Sequence, residues 1–181
     1  MSKGRSTLTV VSLIVAIAGS ALGIYSFLSL NNYINATDSY VLPKARVYYE
    51  GPTYTITSGG GYTQFNYNYK SYDTHGAFNL LLDLYRVPET GFYQVIAQYS
   101  IFAADGGFFF IQLLSNNILV CSRSSSSSVN TNTFGVALTD IIHFTEGDTL
   151  TIEIYQYNVG SLSRIIFDGE THTFFAIAKI A

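Results

Sequence analysis

Tyr93-Gln-Val-Ile-Ala-Gln-Tyr-Ser-Ile101 decides how this chain folds. Its apolar residues recur at every second position, so Tyr93, Val95, Ala97, Tyr99 and Ile101 share one face of an extended strand. A helix would group positions three and four apart instead. Thr149–Gln156 repeats the pattern: Leu150, Ile152 and Ile154 point one way, and Thr149, Thr151 and Glu153 the other. Working outward, Phe108–Leu114 and Ile118–Cys121 are apolar runs joined by Ser115-Asn116-Asn117, a hairpin signal. Ile141–Phe144 runs into the turn Thr145-Glu146-Gly147-Asp148, and His172–Ala181 reads as the last strand.

No helical periodicity appears from Val41 onward. Gly59-Gly60-Gly61, Pro88-Glu89-Thr90-Gly91, Asp105-Gly106-Gly107 and Asp168-Gly169-Glu170 punctuate the strands. About eight to ten strands at this spacing describe an all-β, antiparallel sandwich or jelly roll. Ser124–Ser128, extended by Asn130–Thr133, is expected to be an exposed, mobile polar loop.

Composition supports a folded core. Apolar residues are 48% and charged residues 12%, which excludes a charged disordered chain. The formal charge of −3 offers no basic stripe for nucleic acid. A single cysteine, Cys121, excludes an internal disulfide framework. Tyrosine (15) and phenylalanine (13) are abundant, and Tyr48–Tyr72 is densest in them. Strands elsewhere already supply two inner faces, so the surplus rings point to a second apolar surface, a subunit interface. Tyr67 and Tyr69, two apart, are expected to share a face. Strand propensity of tyrosine is the competing explanation.

Thr7–Leu30 carries no charged residue. As a helix it spans about 36 Å, enough for a bilayer core of about 30 Å. The expected organisation is a cytoplasmic tail (1–6), a transmembrane helix (7–30), a linker (31–45) and a β domain (46–181). A cleaved signal peptide is the rival, but its apolar core is shorter. Lys3 and Arg5 precede the helix, and no basic residue follows before Lys44, which places the N-terminus in the cytoplasm and the domain outside. Gly19 and Gly23 form a GxxxG suited to helix packing, and Asn35 opens the sequon Asn35-Ala36-Thr37.

Four ordered segments resemble the C1q/TNF superfamily. They are Tyr72–Phe78 through Tyr85-Arg-Val-Pro-Glu-Thr-Gly-Phe-Tyr93, then Leu114–Val120, Ile141–Leu150 and Thr173–Ala178. The second is similar to the family's strand–Asn-Gly–strand hairpin, the third to its Gly-Asp segment, the fourth to its terminal strand. Asn117 stands where the hairpin has glycine, and Ala176 where the last strand has glycine; no collagen-like Gly-X-Y stretch is present. The resemblance implies a ten-stranded jelly roll, a homotrimer, and ligand binding or adhesion instead of catalysis. Candidate interface residues are Tyr48, Tyr62, Tyr67, Tyr69, Phe174 and Ala176.

Candidate chemistry is sparse. His75, His143 and His172 form no HxxxH or HExxH pair, and no Gly-x-Ser-x-Gly elbow exists. Cys121 lies in an apolar strand and reads as packing. Calcium, which some C1q-like domains bind, has candidate ligands in Asp73, Asp105, Asp168 and Glu170. The expectation is therefore a non-catalytic, membrane-anchored binding or adhesion protein without a cofactor. Its partners are other copies of itself, the membrane, and an extracellular protein or glycan. The alternative is a structural subunit of a surface filament, pilin-like, or of a virion coat or spike.

Overall fold

Side-chain alternation turns into two facing antiparallel sheets. The computed structural model describes residues 41–102, 105–129, 133–158, 160 and 163–181. The expected tail and transmembrane helix, with Gly19 and Gly23, and the sequon at Asn35 lie outside these residues. Among the described residues no helix is long and apolar enough to cross a membrane.

The first sheet contains β1 (Lys44–Tyr48), β2 (Tyr54–Ile56), β4 (Tyr69–Asp73), β7 (Gly91–Phe102), β10 (Thr133–Phe144), β12 (Arg164–Ile166) and β13 (Phe174–Lys179). The second contains β3 (Thr63–Gln64), β5 (Phe78–Asn79), β6 (Leu84–Arg86), β8 (Asp105–Ser115), β9 (Ile118–Val129) and β11 (Thr149–Tyr157). In the first, β7 lies between β13 and β10, and β1 joins β13 to β4. In the second, β11 pairs with β6 and β8, and β8 pairs with β9.

The deciding stretch behaves as its pattern requires. Tyr93, Val95, Ala97, Tyr99 and Ile101 are all buried between the sheets, and Leu150, Ile152 and Ile154 meet them from the other side. The glycine that opens β7 has a steric reason. A Cβ on Gly91 would overlap the carbonyl oxygen of Ala181 and come within 2.6 Å of Lys179 Cε. The last residues run against it, with the Phe92 N–H donating to Ala181 O at 2.7 Å.

The hairpin between β8 and β9 turns on Asn116 and Asn117, both with positive φ, 51° and 64°. That is the geometry of a type I′ turn, which asparagine tolerates and glycine prefers at the second position. The two asparagines are not equivalent. Asn116 donates to Asp148 Oδ1 at 2.8 Å and accepts the Thr149 N–H at 3.0 Å, which ties the turn to the start of β11. Asn117→Gly should therefore raise stability by ~0.5 kcal/mol, measured by urea unfolding, whereas Asn116→Gly should lower it.

One expectation is corrected here. Ser124–Ser128 is not a loop but belongs to β9, with Ser124–Ser127 paired in register with Phe108–Phe110 and Gly107. Its backbone hydrogen bonds come from β8, and its serines stay largely exposed because β9 has a single partner in its sheet. The first strand begins at Lys44.

Candidate functional site

Strand register assembles a broad outward face on the first sheet. Tyr69 lies opposite Tyr48, Tyr48 opposite Phe174, Phe174 opposite Gln98, and Gln98 opposite Ala137. The next row reads Tyr72, Arg46, Ala176, Ile96, Thr139. Their sequence neighbours Ala45, Val47, Phe175, Ile177, Val95 and Ala97 point inward and are buried, so the two rows point out. Tyr69 and Tyr72 are 48% and 43% exposed, which leaves aromatic area unburied at the β4 edge. Tyr48 and Tyr69 stack with ring centroids 5.5 Å apart.

A charged group sits within this aromatic surface. The Arg46 guanidinium lies 4.0 Å from the Phe174 ring centroid. Its Nη2 donates to the Glu170 carbonyl at 2.8 Å, and its Nε lies 3.3 Å from Glu170 Oε1. Ser71 Oγ donates to the same carboxylate oxygen. Arg46 is thus flattened on the ring by fixed partners, presenting a planar surface instead of a swinging charge.

Four of the six candidate interface residues, Tyr48, Tyr69, Phe174 and Ala176, meet on this face. Tyr67 does not, and the shared face with Tyr69 is corrected. Tyr67 lies before β4 begins, is 4% exposed, and packs on Phe65 at 4.8 Å and Phe78 at 6.0 Å. Its backbone N–H donates to the Asp83 carboxylate at 2.8 Å, which holds the ring inward. Tyr49, Phe65 and Tyr67 fill the core, so much of the tyrosine surplus is interior packing. Tyr62 lies against the opposite sheet, with Tyr155 at 5.4 Å and Phe110 at 6.4 Å.

The acidic candidates are dispersed. Asp73 accepts the Ala77 and Phe78 N–H groups at 2.9 and 3.0 Å and pairs with Lys70 at 2.8 Å. Burial pushes its pKa up, but these hydrogen bonds outweigh it, and the carboxyl sits below its ordinary value. Glu170 is engaged by Arg46 and Ser71, Asp168 is exposed, and Asp105 starts β8 opposite Val129. Among the described residues no three His, Cys, Asp or Glu side chains are grouped as a metal site. His143 is exposed on β10, its ring edge-on to Phe92 at 5.1 Å. Cys121 is buried, and burial together with Asp140 pushes its thiol up, so it remains protonated.

Asp83 carried no signal in the sequence. It is 6% exposed, has φ of 50°, and its pKa is pushed up to about 6 by burial. Only an aspartate followed by no regular pattern marked the position, and its burial depends on the Tyr67 segment closing over it.

No family model matches the sequence, and no curated protein matches it. Solved structures do match in fold. The globular domain of zebrafish complement 1qA protein aligns with TM-score 0.57 and 16% identity, over 78% of this chain and 98% of that one. Eiger TNF from S. frugiperda gives 0.57 and 13%, over 78% and 94%. Murine APRIL gives 0.56 and 12%, over 77% and 100%. The described domain therefore has the C1q/TNF-like jelly-roll fold.

Proposed function

We propose that this chain is a non-catalytic binding protein that self-associates as a trimer through the outward face of its first sheet. The observation that carries the reading is the convergence of Tyr48, Tyr69, Phe174 and Ala176 on that face. Exposed aromatic area beside a stacked arginine is the composition of a protein interface. In this reading residues 7–30 anchor the chain in a membrane and the trimer displays its loops outside. Several weak sites held together then bind a partner by avidity.

Ala176→Arg tests the reading. Ala176 lies in mid-face beside Ile96 and points outward, so an arginine there reaches solvent in a monomer but collides with a packed copy. The detergent-solubilised full chain should have the mass of three copies at micromolar concentration, and the variant the mass of one, with its melting transition retained. A wild-type monomer, or a variant that remains trimeric, overturns the proposal.

A second reading has its own observation. Phe108 and Tyr157 are 56% and 48% exposed on the opposite sheet, next to the Tyr62, Phe110 and Tyr155 cluster. Two aromatic surfaces on opposite sheets suit an open assembly such as a filament or coat. Concentration-dependent growth beyond three copies, abolished by Tyr157→Glu, would favour it.

A further inference from the structure

A separate cavity of about 980 Å³ lies at one end of the sandwich, within the range of small-ligand sites. Register explains its floor. Arg86 lies opposite Thr149 and Leu84 opposite Asn79, while the intervening Tyr85 is buried in the core. Arg86 and Leu84 therefore project outward together from β6. The facing wall is the turn Thr145–Gly147, and hydrogen bonds from backbone N–H groups fix it. Val87 N–H donates to Asp148 O at 2.8 Å, Gly147 N–H to Val87 O at 2.8 Å, and Glu146 N–H to Thr90 Oγ1 at 2.9 Å. The backbone of this wall therefore loses little freedom when the cavity is occupied.

Its charges are unspent. Among the described residues the Arg86 guanidinium and the Glu146 carboxylate each have no side-chain hydrogen bond or ion pair, although both line this cavity. Arginine matches a carboxylate through two parallel N–H donors. A free carboxylate in the same cavity accepts hydrogen bonds from hydroxyl groups. Leu82 and Leu84 add an apolar surface for C–H groups. A neutral sugar leaves Arg86 unused, and a simple fatty acid leaves Glu146 unused. A run of glutamates carries carboxylates for Arg86 but no hydroxyl for Glu146.

We propose that this cavity binds a carboxylate-bearing saccharide, with Arg86 holding the carboxylate and Glu146 receiving its hydroxyls. The inference rests on the reading of the domain as a binding module and names the ligand class.

The test uses the full chain immobilised on a sensor surface, with trigalacturonate, its methyl ester and triglutamate as probes. The triacid saccharide should bind in the millimolar range or tighter, and the ester about tenfold more weakly, because esterification removes the charge and keeps the shape. Arg86→Gln should lose about tenfold, and Arg86→Lys several-fold, because lysine offers no paired donors. Since the guanidinium holds nothing within the fold, both variants should melt with the wild type. Equal binding of acid and ester, unchanged binding by Arg86→Gln, triglutamate binding as tightly as the saccharide, or no binding of the triacid each overturns the proposal. Chain mass measured in parallel keeps the two readings apart. A trimer that ignores the triacid sinks the site alone, whereas a monomer that binds it sinks self-association alone.

Discussion

Phe175→Ala should cost the domain about 3–5 kcal/mol, the largest loss expected of any single truncation in the core. Phe175 is 1% exposed and stands where the two sheets and the aromatic segment converge. Its ring centroid lies 6.0 Å from Phe78, 6.4 Å from Tyr67 and 6.4 Å from Tyr85. Removing it leaves a hole lined by rigid rings that cannot collapse into the space, so the cavity cost adds to the lost burial. Its neighbour Phe174 points to the opposite side of the same strand. Phe174→Ala should cost under 1 kcal/mol of domain stability and act on chain association instead. Urea unfolding of the two variants side by side checks the claim. Equal losses would mean that β13 does not separate inside from outside.

Asp83→Asn should stabilise the domain by about 1–3 kcal/mol at pH 7. Burial raises the Asp83 carboxyl to about 6, against an ordinary value near 3.8. The folded chain therefore holds a proton that the unfolded chain has released between those two values. Stability contributed by this group rises as pH falls through about 6 and is complete below about 4. Asparagine is neutral throughout, keeps an oxygen for the Tyr67 N–H, and accepts the φ of 50°. The gap between variant and wild type should then be widest at pH 7 and close by pH 4. Asp73 acts in the opposite direction, since its depressed carboxyl loses stability on acidification, but it is common to both proteins and cancels. A gap that stays constant with pH would show that the Asp83 carboxylate is solvated.

The contrast between Asp83 and the β7 strand explains what could be read from the sequence. Alternation over Tyr93–Ile101 is a local signal, because each residue's face follows from its neighbours alone. The hairpin at Asn116-Asn117 is equally local. Tyr67 failed as an alternating position because the chain there is not in a strand, and its direction is set by Asp83, remote in sequence. The Arg86 cavity has no local signal for a related reason: its opposite wall comes from the turn before β11, and a lone arginine beside a leucine says nothing about what will face it. The serines of β9 read as a loop because identical polar side chains carry no period, whereas the strand is imposed by the backbone of β8.

Sameness in β9 has a further result. Against Phe108–Phe110, every position from Ser124 to Ser126 offers the same hydroxyl, so sliding the strand by one residue exchanges serine for serine. None of these three serines distinguishes one register from the next. Alignment there is inherited from the asparagine turn and from Cys121, which is buried in the core. An insertion or deletion inside the serine run would pass almost unfelt by the rest of the domain, and one between the turn and Cys121 would displace the whole ladder.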